Sequence, residues 1–346
     1  MASTPGLNIN RSNSSSVEHS NSSSNLVESP SIVPPVLLFL LGVAGNGIAV
    51  IIVCCSVKQH QWRPFYRFVC GLAVTDGFGV MLALPFAIVR YATNFEYSYS
   101  QTVCDYMAVI QMFTIMASAM IVCTMSLERF LALIFPYKFQ SLTKEARSIV
   151  ILLCIWVISA FLSSGHLMAG RPSKRFYPDS WCFVNFESQD ATDQGFSYLY
   201  VLVGLLVLIT TFVTNVSLIV VILKSKLSMS SKSIVNTRGT RIILFLFSVV
   251  LLYSICSLPI LINMFGHLSG TYKGTPRFEL LNIEMATTNS IIDPWIYIIF
   301  REETINFVRG LYKKLTCTIC NSRKNELEWQ NSETPNEPNS FTVTST

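Results

Sequence analysis

Ionisable side chains are rare in the apolar stretches of this chain, and those that occur there are best placed to do chemistry. They are Asp76, the adjacent pair Glu128 and Arg129, Glu284 and Asp293. A charge inside a bilayer is costly, so such residues usually mark a binding site or a switch. No ladder of carboxylates or arginines crosses the membrane, which argues against a pump or a voltage sensor.

Asp76 and Asp293 lie within apolar helices, as do the amides of Asn46 and Asn289. If these helices pack together, the four side chains share a hydrated pocket rich in oxygen ligands. Such ligands suit a small hard cation, and we expect a sodium ion near Asp76. A hydrogen-bonded packing network without an ion is an equal alternative. The sequence indicates no other cofactor or metal.

Glu128 and Arg129 end the apolar part of one long run, near the inner membrane boundary. A carboxylate beside a guanidinium holds the arginine until a partner protein offers it a better site. We interpret the pair as a switch, and the alternative is an ion pair that only stabilises the interface.

The elements that must position these residues are membrane helices. The chain of 346 residues is 51% hydrophobic and 13% charged, whereas soluble domains carry about a quarter charged residues. The net charge of +5 is too mild to suggest nucleic-acid binding. We predict an all-α membrane protein, a bundle of seven transmembrane helices with a short amphipathic eighth helix. The predicted spans are 32–57, 65–91, 102–135, 146–168, 196–227, 240–267 and 278–300.

Lysine and arginine set the orientation. Most of them fall in the loops that are cytoplasmic if the N-terminus is outside, as the positive-inside rule requires. We therefore predict a multi-pass plasma-membrane protein with an extracellular N-terminus and a cytoplasmic C-terminus. The seven-helix domain is predicted to cover residues 32–300 and the eighth helix residues 301–316.

The two tails are predicted to be disordered. Residues 1–31 are rich in Ser and Asn and contain three N-glycosylation sequons, at Asn10, Asn13 and Asn21. Residues 317–346 form the cytoplasmic tail. It begins with Cys317 and Cys320, which follow a basic amphipathic stretch and suit palmitoylation better than zinc binding.

Two of the ten cysteines are predicted to face the oxidising side of the membrane. Cys104 begins the third span, and Cys182 lies in the outer loop that follows the fourth span. A disulfide between them would clamp that loop against a central helix. The alternative is a pair of free thiols.

Taken together and in order, the motifs of this chain resemble those of the rhodopsin-like G-protein-coupled receptors. The resemblance extends from residue 32 to residue 315. It implies that Glu128, Arg129, Asp293, Pro294 and Tyr297 serve activation and G-protein coupling. Two departures are the absence of a tryptophan before Pro259 and of a proline in the fifth span. The matching motifs are Gly45–Asn46, Leu72–Asp76, Cys104 with Cys182, Glu128–Phe130, Trp156, Pro259 and Asp293–Tyr297.

Within that class the chain is similar to the prostanoid receptors, especially the prostaglandin E receptors that couple to the stimulatory G protein. The resemblance rests mainly on the outer-loop run from Phe176 to Phe183. It implies a lipid carboxylate held by a tyrosine, a loop hydroxyl and an arginine. The implied ligand-binding residues present here are Tyr91, Ser180, Trp181 and Thr287.

The position of the family's arginine is occupied by Glu284. A like charge thus stands where a guanidinium would bind the carboxylate, and three outcomes are open. In the first outcome, Glu284 is protonated and acts as a neutral hydrogen-bond donor. In the second, Glu284 pairs with Arg90, and Arg90 contacts the ligand. In the third, the pocket prefers a neutral or cationic ligand. The alternative role for Arg90 is a side chain that reaches the outer interface.

The resemblance implies a receptor and not an enzyme. Its expected partners are a lipid-derived agonist, membrane lipid, a heterotrimeric G protein that raises cyclic AMP, and possible arrestin and receptor kinases at the tail. Two alternatives are a receptor of the same class for a non-prostanoid ligand, which Glu284 favours, and, more remotely, a seven-span transporter or channel.

Overall fold

Seven long helices account for most of the chain. The computed structural model describes residues 31–60, 64–135, 144–228, 237–271 and 274–300. The helices are α1 Val33–His60, α2 Pro64–Ala92, α3 Gln101–Ile134, α4 Lys144–Met168, α5 Ala191–Ser228, α6 Thr237–Ser269 and α7 Pro276–Phe300. Between α4 and α5, the strands β1 Lys174–Phe176 and β2 Trp181–Phe183 form an antiparallel hairpin.

The outer surface of the bundle is apolar. Six of the helices, α1 to α6, are long and apolar enough to cross a bilayer. Large hydrophobic side chains such as Leu40, Val157 and Leu202 are more than half exposed, because they face away from the other helices. Since such a surface is stable only in contact with lipid, the bundle spans a membrane.

The helices close into a ring around α3. Neighbouring helices pack in sequence order from α1 to α3, and α7 contacts both α6 and α1. Helix α3 also packs against α4, α5 and the hairpin, and it is the most buried of the six apolar spans. The residues that line both ends of α3 therefore lie near the axis of the molecule.

Glycines permit the closest helix contacts. A Cβ atom on Gly45 of α1 would lie 2.6 Å from Nε1 of Trp295 on α7. A Cβ atom on Gly79 of α2 would overlap Oγ1 of Thr114 on α3. Both positions require glycine because any side chain would overlap the neighbouring helix.

The seven predicted spans correspond to the seven helices, with two differences. The structure adds the β-hairpin, which sequence analysis did not predict. Helix α5 begins at Ala191 and not near residue 196. Its first turn is polar, so the apolar pattern of the sequence did not include it. Asp190, just before the helix, accepts a hydrogen bond of 2.8 Å from the amide of Thr192. The predicted eighth helix, residues 301–316, lies outside the described residues.

The predicted disulfide between Cys104 and Cys182 is confirmed. It joins the first turn of α3 to the centre of β2, and both cysteines are fully buried. The bond therefore fixes the hairpin over the outer end of the bundle.

Candidate functional site

A narrow cavity opens among the outer halves of α1, α2, α3 and α7, under the hairpin. Its volume is about 70 Å³. Because pockets that hold drug-sized ligands measure roughly 300–1,000 Å³, the lining side chains must move apart before such a ligand enters. Most of the lining is aliphatic, and the polar lining residues are Tyr91, Gln111, Thr114, Ser180, Glu284, Thr287 and Ser290.

Five of the six predicted ligand-binding residues line this cavity. Tyr91 comes from the end of α2, Ser180 and Trp181 from the hairpin, and Glu284 and Thr287 from α7. Residues from three separate parts of the chain thus meet at one site, as the resemblance implied. The sixth, Arg90, is not among the lining residues.

Trp181 is held in place by an aromatic cluster. Its ring stacks on Phe176 with centroids 4.6 Å apart, and Phe176 stacks on Phe186 at 4.7 Å. The indole Nε1 of Trp181 donates a 2.8 Å hydrogen bond to the carbonyl of Tyr177 within the same hairpin. Because Trp181 is only 5% exposed, its position is set by packing before any ligand arrives.

Arg90 supports the turn of the hairpin. Its Nε donates to the carbonyl of Asp179 at 3.1 Å, and Nη1 donates to the carbonyls of Phe95, at 2.7 Å, and of Tyr97. Its Nη2 also lies 3.7 Å from the carboxylate of Asp179. The guanidinium is buried among these acceptors, so Arg90 fixes the turn that presents Ser180 to the cavity.

Tyr99 supports the same turn from the loop before α3. Its hydroxyl donates a 2.9 Å hydrogen bond to the carbonyl of Asp179. Burial raises the pKa of Tyr99 to about 12, although the guanidiniums of Arg175 and Arg90 act in the opposite direction. The phenol therefore stays neutral and remains a donor at physiological pH.

Glu284 faces the cavity with its carboxylate. It lies close enough to Tyr91 for the two groups to interact electrostatically, and Tyr91 also interacts with the hydroxyl of Ser180. No Lys or Arg of the described ranges forms an ion pair with Glu284, and Arg90 pairs with Asp179 instead. Of the three outcomes left open for Glu284, its pairing with Arg90 is not found, because the guanidinium is turned toward the loop.

Gln111 on α3 was missed by the sequence reasoning. Its Nε2 donates a 3.2 Å hydrogen bond to Oγ1 of Thr287, and this pair bridges α3 and α7 across the cavity. The sequence does contain a pattern that indicates Gln111: the polar residues Gln111, Thr114 and Ser118 are spaced three and four residues apart in a mostly apolar stretch. That spacing puts the three side chains on one face, toward α2 and α7.

A second polar cluster lies deeper in the bundle, around Asp76. The hydroxyl of Ser118 donates to one carboxylate oxygen of Asp76, and Ser290 also interacts with this carboxylate. Asn289 donates a 2.9 Å hydrogen bond to Asp293, which lies close enough to Asp76 for the two carboxyls to interact electrostatically. The structure thus places the two aspartates and Asn289 close together.

Asn46 joins the same region through the backbone. Its Nδ2 donates to the carbonyl of Gly42 at 3.0 Å and to the carbonyl of Ser290 at 3.1 Å. The side-chain oxygens Oδ1 of Asn46, Oδ2 of Asp76 and Oδ1 of Asn289 are buried without a hydrogen-bond partner in the described part of the chain. Unsatisfied buried oxygens are what a cation or a water would bind, so the donor set fits a small hard cation.

The profile of the 7 transmembrane receptor (rhodopsin family) matches residues 45–297, which is more than half of the chain. The chain belongs to this receptor family. It is a receptor, not an enzyme, and a multi-pass membrane protein.

Curated relatives of this receptor are named as prostaglandin E2 receptors and a prostacyclin receptor. It is 26% identical to the human prostaglandin E2 receptor EP4 subtype over 368 residues, which covers 93% of this chain and 73% of the relative. It is 25% identical to the human prostaglandin E2 receptor EP2 subtype, covering 84% and 87%. It is 29% identical to the mouse prostacyclin receptor, covering 82% and 69%. The resemblance to prostanoid receptors is therefore confirmed.

The inner end of the receptor contains the predicted coupling residues. The guanidinium of Arg129 lies 4.1 Å from the ring centroid of Phe65 and is exposed, whereas Glu128 is half-buried. Pro294 lies within the continuous helix α7, about one turn before the buried Tyr297. On the predicted topology these residues lie toward the cytoplasmic ends of their helices.

Several predicted sites lie outside the described residues. They are the sequons at Asn10, Asn13 and Asn21 and the cysteines Cys317 and Cys320. Among the described residues, no group of three or more His, Cys, Asp or Glu side chains could hold a metal ion.

Proposed function

We propose that this protein is a prostanoid receptor, responsive to a prostaglandin E-like lipid, that activates a heterotrimeric G protein. The G protein is of the stimulatory class, so activation raises cyclic AMP. The N-terminus is extracellular and the C-terminus cytoplasmic, which places the hairpin on the ligand side.

The main support for this proposal is that residues predicted to bind the ligand lie together in one cavity. Tyr91, Ser180, Trp181 and Thr287, which the prostanoid resemblance assigns to ligand binding, all line the same narrow apolar cavity. An oxygenated fatty-acid derivative has a slender chain for the aliphatic walls and a few oxygens for the polar residues. The curated relatives named as prostaglandin E2 and prostacyclin receptors support the same class of ligand.

Activation is a shift of population between two arrangements of the helices. A ligand that binds the active arrangement more tightly increases its population. Since α7 contributes to the cavity, to the polar cluster and to the inner end, it links the ligand to the G-protein side. Arg129 then leaves its resting contacts near Glu128 and engages the G protein.

Other partners follow from the same proposal. Receptor kinases and arrestin act on the Ser- and Thr-containing tail, and palmitate on Cys317 and Cys320 anchors the segment after α7 to the membrane. The cluster around Asp76 binds a sodium ion, which stabilises the resting arrangement. The unsatisfied oxygens of Asn46, Asp76 and Asn289 support this ion site.

The test measures cyclic AMP and calcium in cells that express the full chain, with untransfected cells as the control. Prostaglandin E is added as the free acid, the methyl ester and an amide, which share one hydrocarbon skeleton. We expect a dose-dependent rise in cyclic AMP with at least one form. Silence of both signals toward all three forms, with surface expression verified, would overturn the prostanoid proposal.

A receptor for a non-prostanoid ligand is the second candidate. It is favoured by Glu284, the carboxylate that stands in the cavity without an ion-pairing Lys or Arg among the described residues. Screening the silent receptor with amines and amides of other lipids would then be the next experiment.

A further inference from the structure

The ligand cavity has an acidic side chain and no basic one to balance it. Of the described residues that line it, Glu284 is the only acid, and none is a lysine, arginine or histidine. A ligand carboxylate placed beside Glu284 would lose its hydration without gaining a counter-ion, and an ionised Glu284 would repel it. Burying a carboxylate without hydration or a counter-ion is strongly unfavourable.

Arg90, which precedes the cavity residue Tyr91 in the chain, is already bound to the loop after α2 and to the hairpin turn. Arg90 has three backbone carbonyls and the Asp179 carboxylate as partners, and its side chain is 4% exposed. Turning it toward the cavity would take the donor away from the carbonyls of Phe95 and Tyr97 and would break the contact with the Asp179 carboxylate. Arg90 therefore holds the hairpin and is not free to neutralise a ligand.

Three further outer cations lie in the loop after α4, and each has a partner; Arg277, at the start of α7, is exposed and does not line the cavity. Arg171 makes a bidentate contact with Asp193, with distances of 2.7 Å and 2.6 Å. Lys174 pairs with Glu187. Arg175 donates to the carbonyl of Tyr99 at 2.7 Å and stacks on its ring. Each of these cations is tied to a partner that is not a lining residue of the cavity.

From this arrangement we infer that the receptor selects a lipid whose polar end donates a hydrogen bond to Glu284, such as an amide or an amine, in preference to a free acid. The inference rests on the proposed function and names the ligand class of the same cavity. Glu284 accepts from the donating head group. The hydroxyls of Tyr91 and Ser180 and the Gln111–Thr287 pair are positioned to bind the remaining oxygens.

The experiment compares head groups on one skeleton. G-protein activation is measured as GTPγS binding in membranes that contain the full chain. The ligands are a prostaglandin E free acid, its methyl ester, a primary amide and the corresponding amine. We expect the amide or the amine to be at least roughly tenfold more potent than the acid, with the ester between them, because the ester lacks the donor.

Two variants of Glu284 make the test specific. Glu284→Gln removes the charge but keeps the shape, so the advantage of the donor ligands should shrink toward equality. Glu284→Arg introduces a cation, so the order should reverse in favour of the acid. Glu96→Gln is the matched control, since Glu96 is an exposed carboxylate on the same outer face and does not line the cavity.

The outcomes separate this inference from the proposed function. A larger response to the amide than to the amine supports a neutral head group, and the opposite order supports a cationic one. A free acid that is most potent on the unmodified receptor, with a potency that Glu284→Gln leaves unchanged, overturns the inference while the prostanoid function stands. Silence toward all four ligands overturns both.

Discussion

Two ionisable side chains near the outer end of the bundle have opposite surroundings. Arg90 is enclosed by carbonyl oxygens of the loop after α2 and of the hairpin turn. Glu284 borders an apolar cavity and faces a tyrosine. The arginine therefore fixes the position of the hairpin, whereas the glutamate lies where it can contact a ligand in the cavity.

Replacing Arg90 by lysine tests its positioning role. Lysine keeps the charge but cannot serve carbonyls that lie in different directions from a planar guanidinium. We expect Arg90→Lys to lower the free energy of unfolding by about 1–3 kcal/mol. We also expect it to reduce the potency of acid and amide ligands by the same factor. Thermal denaturation and GTPγS dose–response curves measure both effects. Arg277→Lys, at an exposed outer position, is the control, and a selective loss of acid potency in Arg90→Lys would contradict the positioning role.

Replacing Asp76 by asparagine tests the sodium site. Asparagine retains a hydrogen-bond acceptor for Ser118 but removes the negative charge that attracts the cation. We expect agonist affinity of the unmodified receptor to fall when sodium replaces a bulky organic cation in the buffer. The Asp76→Asn variant should lose this dependence. Equal sodium dependence in both proteins would exclude a sodium site at Asp76.

At the scale of elements, the hairpin is the part of the receptor whose position depends on a covalent bond. Replacing Cys182 by serine frees β2 from α3, and loss of a native disulfide typically costs about 2–5 kcal/mol. We expect Cys182→Ser to abolish ligand response and to reduce surface expression. Cys154→Ser changes an exposed free thiol on α4 and should behave like the unmodified receptor. A normal dose–response curve for Cys182→Ser would refute the clamping role of the disulfide.

The contact between α1 and α7 depends on a glycine. Gly45→Ala forces a Cβ atom against the indole of Trp295, and overpacking of this kind costs about 1–3 kcal/mol. Gly47→Ala is a matched control, because Gly47 is exposed on the same helix and a Cβ atom there would meet nothing within 4 Å. We expect a lower melting temperature for Gly45→Ala, and an equal or higher one for Gly47→Ala. Identical melting temperatures would show that α7 gives way without strain.

Elements with a strong chemical signature were predictable from the sequence. Long apolar runs indicated the spans, and two cysteines on the oxidising side indicated the disulfide. The hairpin was not predictable, because its three-residue strands are too short for a periodic pattern and are stabilised by tertiary contacts such as Phe176 on Trp181. The engagement of Arg90 also depends on backbone carbonyls, which no residue type reveals.

At the scale of the whole molecule, the apolar surface and the distribution of basic residues determine how the chain lies in the membrane. We expect a glycosidase to reduce the apparent mass of the expressed receptor, because the proposed orientation places the sequons at Asn10, Asn13 and Asn21 in the lumen during synthesis. Replacing the three asparagines by glutamine should abolish that shift on a denaturing gel. Ser217→Ala is the control, since it removes a sequon at Asn215, which is buried within α5. A tail that carries no glycan would leave the orientation unsupported.

Helix α7 differs from the six apolar spans, because its length is sufficient but its sequence is more polar. Its polar residues Asn282, Asn289 and Asp293 are buried, and it packs against α1 and α6. A segment of this kind is a poor substrate for the insertion machinery when it arrives alone. We therefore expect its entry into the bilayer during translation to depend on the helices synthesised before it. The residues that equip the receptor for signalling are thus the same ones that make its biosynthesis a cooperative event.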